Sequence, residues 1–185
     1  MFKQTTDDEL KQLIADCRAE KRRAQHRFFK LFYSEVMAVC MRYAKDEDEA
    51  QDMLSEGFIK IFANLDKFTE GSFKAWLKRV VVNAAIDYQR KYKTLTQMTD
   101  IEEVSETEIR SYDENTALSK ISTDELLALI QKLPSTTRSV FNLYVFEGYP
   151  HAEIAEILQM KEGTSHWHLN FARNKLKEMI HEITR

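Results

Sequence analysis

The chain of 185 residues holds only four glycines and two prolines, so it is short of the residues that break helices and set tight strand turns. No long segment alternates apolar and polar residues with period two, which argues against half-buried β-strands. Two cysteines, Cys17 and Cys40, cannot build a disulfide framework. Each lies in an apolar helical stripe and is expected as a buried, reduced thiol of a cytoplasmic protein. No apolar run approaches the roughly twenty residues of a membrane span, and no signal-peptide pattern opens the chain. No convergent Ser-His-Asp or Cys-His set, phosphate-binding glycine loop or metal-ligand set is present, so the expectation is no enzyme, no cofactor and no small-molecule substrate. His166 and His168 do not make a metal pair, because residues two apart on a helix project about 200° from each other. What is abundant is apolar residues at spacings of three and four, and the fold is expected to be all-α.

Charge is segregated along the chain. The formal net charge is -3, but residues 97–125 carry nine acidic residues against Arg110 and Lys120, a local balance of -7. Residues 72–96 reverse the sign, with Lys74, Lys78, Arg79, Arg90, Lys91 and Lys93 against Asp87 alone. A basic helical face rich in aromatics suits nucleic acid, although a basic face is also often merely solvated. The polar, acidic stretch 94–121 is expected to be a flexible tether between two small helical domains, 1–93 and 122–185.

In chain order, Thr6 and Glu9 make a capping box before Leu10, Leu13, Ile14 and Cys17. The run 22–43 places Phe29, Phe32, Tyr33, Val36, Cys40 and Tyr43 on one expected core stripe. A third helix, opened by Asp46, sets Ala50, Met53, Leu54, Gly57, Phe58, Ile61, Phe62 and Leu65 on one side. Its other side carries Asp52, Ser55, Glu56 and Ile59, an acidic stripe with one apolar residue that suits docking on a basic helix, or simply solvent. A loop over 66–72 follows, and Ser72 can cap a fourth helix burying Phe73, Trp76, Leu77, Val80, Val81, Ala84 and Tyr88. Arg79, Asn83, Asp87 and Arg90 then fall along one outward line that can track a phosphate backbone and present an amide to a base.

In the second half, Ser122 and Glu125 form a capping box, 136–147 supplies a further helix, and Gly148 stands where a C-cap glycine belongs. Ile154, Ile157 and Leu158 recur before a short break at Gln159, Met160 and Lys161. After it, Ser165, Leu169, Ala172, Leu176, Met179 and Ile183 form the apolar side of one long helix. The pair has the pattern of a helix-turn-helix, with Thr164, His166, Trp167, Asn170, Phe171, Arg173 and Asn174 as candidates for entry into a DNA major groove. A helical hairpin without a DNA ligand fits the same pattern.

Leu133-Pro134, Arg138, Phe141, Glu147-Gly148, Glu153-Ile154-Ala155, Leu158, Glu162-Gly163-Thr164 and Ala172-Arg173-Asn174-Lys175-Leu176 resemble region 4 of the extracytoplasmic-function subfamily of sigma-70-type RNA polymerase sigma factors. Asp48-Glu49-Ala50-Gln51-Asp52, Phe58, Phe73-Lys74-Ala75-Trp76-Leu77, Asn83 and Ile86-Asp87-Tyr88-Gln89-Arg90 resemble region 2 of the same group. The resemblance implies region 2 over 1–93, region 4 over 122–185 and the acidic linker 94–121 in place of region 3. It implies docking of Asp52, Ser55, Glu56 and Ile59 on the clamp helices of the polymerase beta-prime subunit, with the beta subunit as a further contact. It implies capture of flipped minus-ten bases by the loop 66–72 and Asn83, aided by Phe68, Lys78, Arg79 and Arg90, with Trp76 read as core. Region 4 would bind the minus-thirty-five duplex, and an anti-sigma factor, often membrane-bound in the family, would restrain the protein. Lys161 stands where a capping Ser is common in the family, Gln159 where the turn has Gly, and Phe171 where a basic residue is frequent. A stand-alone repressor or activator is the competing reading, but it leaves the first domain without a task.

Overall fold

A computed structural model describes residues 7–96 and 122–184. The expected tether therefore lies outside the described residues except at its ends, as does Thr6 of the first capping box. The described helices are α1 (Asp7–Arg18), α2 (Arg22–Tyr43), α3 (Glu47–Asn64), α4 (Phe73–Thr96), α5 (Thr123–Gln131), α6 (Ser135–Val145), α7 (His151–Leu158) and α8 (Glu162–Thr184), with a short 3-10 turn at Leu65–Lys67. No strand occurs among the described residues, and the all-α expectation holds. Helix α4 runs three residues past Lys93, where the periodicity fades. The chain divides into two compact units, one of Met1–Cys40 with Asp48–Ala85, the other of Met41–Glu47 with Ile86–Arg185.

The first unit has an aromatic core. Phe28, Phe32, Val36, Met53, Phe58, Ile61, Phe73, Leu77 and Val81 are buried. The ring of Phe28 lies 4.6 Å from Phe32, 5.4 Å from Phe62 and 5.9 Å from Phe73, edge-on to the last. The α2 stripe is rotated from the expected one: Phe28 and Val39 are inside, Phe29 is half-buried, and Tyr33 is 39% exposed. The reason is packing. Phe29 and Tyr33 form a second row, with Phe29 leaning on Phe58 at 4.5 Å, while Phe28 takes the central position. The α3 stripe is inside as expected, apart from the half-buried Phe62. Gly57 proves to be no steric necessity, since a Cβ there would sit 3.8 Å from Val36 and 4.0 Å from Val81, ordinary contact distances.

The second unit is built on aliphatics. Leu129, Ile130, Leu133, Ala172, Leu176 and Ile180 form its cluster, with Leu126, Phe141 and Met179 against it. Ser122 and Glu125 close a full capping box at the start of α5. The α8 stripe departs from expectation at its end, where Ile180 is buried and Ile183 is 52% exposed. A further step of four from Leu176 reaches the α5 cluster at Ile180, and the helix then runs past its partner. Helix α6 buries Thr137, Arg138 and Ser139 as well as Val140 and Leu143. Burial of the Arg138 guanidinium is offset by carbonyls: Nη1 donates to Gln131 O at 2.6 Å and Leu133 O at 3.3 Å, and Nε to Tyr43 O at 2.9 Å. Cys17 and Cys40 are buried and form no disulfide, each within its own helix stripe.

Candidate nucleic-acid interfaces

The turn between α7 and α8 is made without glycine. Gln159 takes the left-handed conformation, φ 54 and ψ 48, and the amide of Met160 donates to Ala155 O at 2.9 Å. A side chain in that conformation costs about 1 kcal/mol relative to glycine, so the helix stop is held by its hydrogen bonds rather than by local preference. Lys161 offers no capping oxygen. Its carbonyl instead accepts from the amides of Thr164 and Ser165 at 3.0 and 3.2 Å. The amides of Thr164 and Ser165 are thereby satisfied within the turn.

On α8, Ser165, Leu169, Ala172, Leu176 and Ile180 face inward, which turns Thr164, His166, Trp167, Asn170 and Arg173 to solvent and leaves Phe171 and Asn174 half-buried. All seven candidates are therefore accessible. They are not independent side chains. His166 stacks on His151 of α7 with ring centroids 3.7 Å apart, and His151 stacks in turn on Tyr144 of α6 at 4.7 Å. Arg173 places its guanidinium 5.8 Å from the Tyr144 ring, a cation-π contact, and Glu162 lies 3.8 Å from His166 Nε2. His151 Nδ1 and the buried Ser165 hydroxyl are 2.9 Å apart, and His168 Nδ1 is 3.0 Å from the Thr137 hydroxyl. Burial lowers the His151 pKa, the His166 charge beside it lowers it further, Glu162 opposes this, and Arg173 adds to it. Sequence reasoning missed His151. Its only signal was its place directly after Pro150 at the start of a helix.

In the first unit, Asp52, Ser55 and Ile59 are exposed on α3 and Glu56 is half-buried beside them. Ile59 is 68% exposed, the most of the exposed large apolar side chains among the described residues. On α4, whose residues from Ile86 on belong to the second unit, Arg79, Asn83, Asp87 and Arg90 are all exposed as their spacing requires, with Arg90 Nη1 3.6 Å from Asp87 Oδ1 and its Nη2 donating to Ile157 O at 2.6 Å, while Lys78 is half-buried. Ser72 caps α4 through the Ala75 amide, as expected. Phe68 and Trp76 are both half-buried, their rings 5.6 Å apart and each packed on Phe73. They form one aromatic ledge, so Trp76 is neither fully core nor fully free. A further residue escaped the sequence: Arg18, at the end of α1, donates from Nε and Nη2 to Leu65 O at 3.2 and 2.8 Å and from Nη2 to Phe68 O. Its guanidinium also lies 3.7 Å from Asp66. It pins the start of the loop 66–72, and a residue nearly fifty positions away leaves no local pattern of doing so. Among the described residues no group of three or more His, Cys, Asp or Glu could hold a metal ion.

These faces belong to a helical protein whose second unit ends in a helix-turn-helix, and the family matches make it a DNA-binding protein of the transcription machinery. Sigma-70 region 2 matches residues 28–94, and Sigma-70, region 4 matches residues 123–176. The RNA polymerase sigma-H factor of Pseudomonas aeruginosa is 24% identical over 192 residues, spanning 97% of this chain and 98% of that one. The ECF RNA polymerase sigma factor SigW of Bacillus subtilis is 26% identical over 163 residues, 83% of this chain and 87% of that one. Among solved structures, the sigma factor RpoE in complex with the anti-sigma factor NepR from Bartonella quintana shares the fold, with a TM-score of 0.51 at 22% identity over 86% of this chain and 98% of that one. The chain belongs to the extracytoplasmic-function subfamily of the sigma-70 family. It is a transcription initiation factor that binds core RNA polymerase, directs it to specific promoters and assists DNA melting.

Proposed function

We propose a division of these tasks along the chain. Residues 1–93 dock on the polymerase and engage the minus-ten element, 94–121 connect, and 122–185 bind the minus-thirty-five duplex. Asp52, Ser55, Glu56 and Ile59 contact the beta-prime clamp helices, with the beta subunit as a further contact. Phe68, Lys78, Arg79, Asn83 and Arg90 hold unstacked bases and backbone of the melted strand, where an aromatic ledge and cations suit a single strand. Thr164, His166, Trp167, Asn170, Phe171, Arg173 and Asn174 face the upstream duplex. The protein performs no chemistry of its own and works in the cytoplasm; no described helix is long and apolar enough to cross a membrane. An anti-sigma factor restrains it, as NepR is bound to RpoE in the Bartonella quintana complex.

The observation that carries the docking assignment is Ile59, 68% exposed within an acidic row, a surface suited to a basic helical partner with an apolar spot. The test is the double charge reversal Asp52→Lys with Glu56→Lys. Binding to core polymerase is expected to weaken at least tenfold, more so at low salt, with the circular dichroism spectrum unchanged. An unchanged affinity in a folded variant would remove this face from the interface.

A further inference from the structure

Helix α8 turns an aromatic plate outward. Trp167 and Phe171 lie one turn apart with ring centroids 5.3 Å apart and planes within 12° of parallel. Trp167 is 40% exposed, and its other ring neighbour is His168, edge-on at 4.9 Å. Asn170, on the same side, is exposed beside them. The rings are thus held in a fixed mutual orientation on the surface of a helix, not folded into the aliphatic core of the unit.

The surroundings indicate what covers the plate. The exposed cations Arg173 and Lys175 follow it on the same helix, Lys175 lying 3.4 Å from Glu178, and they suit the face to an anionic polymer. In a paired duplex the bases are stacked on one another, and rings on a helix lying in the major groove can meet only their edges. Those edges carry polar atoms at every base, and thymine alone adds a methyl group, at C5. Asn170 adds the matching polar element, because an Asn amide pairs bidentately with adenine, thymine's partner.

We propose that Trp167 and Phe171 together form a pocket wall for the C5-methyl of thymine in the upstream promoter element, with Asn170 reading an adjacent adenine. This rests on the assignment of α8 to that element. Specificity here comes from apolar contact rather than from an added phosphate or guanine contact. The selected upstream sequences are accordingly expected to carry thymine at one or two positions opposite the plate.

The full chain assembled with core RNA polymerase is used to select from promoter duplexes randomised at the upstream element. In the selected duplex each thymine is then replaced singly by deoxyuridine, which removes only the methyl. The wild-type protein is expected to lose about fourfold in affinity at one or two positions, the factor that corresponds to one buried methyl at about 0.8 kcal/mol. The Trp167→Ala and Phe171→Ala variants, checked for folding, are expected to bind thymine and deoxyuridine alike. Equal affinity of the wild-type assembly for both bases at every position, with sequence preference intact, overturns the aromatic assignment and leaves α8 as the reading helix. Absence of any upstream preference overturns both. Loss of polymerase affinity in Trp167→Ala, with no deoxyuridine effect in the wild type, assigns the plate to a protein contact instead and overturns the proposal.

Discussion

The two units place the same kinds of residue on opposite sides of their surfaces. In the first, Phe28, Phe32, Phe58 and Phe73 are the core, and the outward faces of α3 and α4 are largely polar and charged. In the second, Leu129, Ile130, Leu133, Leu176 and Ile180 are the core, while Tyr144, Phe146 and Trp167 are exposed. An aromatic ring offers a large apolar body and a flat recognition face, and only its helical phase and its neighbours decide which is used. The comparison teaches that aromatic content does not locate function here. In the first unit most rings hold helices together, with Tyr33 and the ledge of Phe68 and Trp76 reaching the surface, and in the second more of them lie where a ligand can reach them.

The sharpest way to break that contrast is a pair of truncations. Phe28→Ala removes a fully buried ring that touches three others and is expected to destabilise the first unit by about 3–5 kcal/mol. Trp167→Ala removes a larger ring from a surface and is expected to cost under about 1 kcal/mol. Denaturant titration of each variant measures both. Equal losses would mean that the plate on α8 is a structural element after all.

How much of this was legible in the sequence follows from the same physics. A helix repeats every 3.6 residues, so the exposed line of Arg79, Asn83, Asp87 and Arg90, the acidic face of α3 and the exposed candidates on α8 could be read from spacing alone. The motifs of both sigma regions were legible as residue identities, through resemblance to the family and not from spacing. Choosing between adjacent rows was not. Phe28 and Phe29 differ by one residue, and the contacts with α3 and α4 decide which becomes central. Contacts across helices left no trace in spacing either. Arg18 on the carbonyls of Leu65 and Phe68, and the stack of Tyr144, His151 and His166, join residues from separate helices or from segments far apart in the chain. The strained Gln159 was visible only as a missing glycine.

Arg18 tests whether the first unit's loop is held as firmly as the exposed, stacked face of α8 in the second. Arg18→Ala removes charged donors from Leu65 O and Phe68 O, and a loss of about 1–2 kcal/mol in stability is expected. If the loop 66–72 engages melted bases, open-complex formation should fall further than this loss explains, with duplex upstream binding intact. Arg18→Lys should restore charge but not the forked geometry, and so recover stability only in part. A variant with normal open complexes would show that the loop needs no clamp.

The smallest expected effect lies in the histidine stack, and pH gives it a sign. His151 is buried against Ser165 and His166, and its folded pKa lies below the ordinary histidine value of about 6.5. In the window just below 6.5 the unfolded chain therefore binds a proton that the folded chain resists. Stability contributed by neutral His151 is fully present above 6.5 and is lost as pH falls towards the folded value. Nearby Glu162 works against the shift and Arg173 with it, so the net slope is expected to be shallow. His151→Phe keeps a ring on Tyr144 and His166 but leaves the buried Ser165 hydroxyl without this partner. It should be less stable than the wild type at pH 7.5, with the gap narrowing towards pH 5.5, because the titrating group is gone. Thermal melts of both proteins across that range measure the gap. A constant difference would mean that the ring at position 151 serves only as a spacer in the stack.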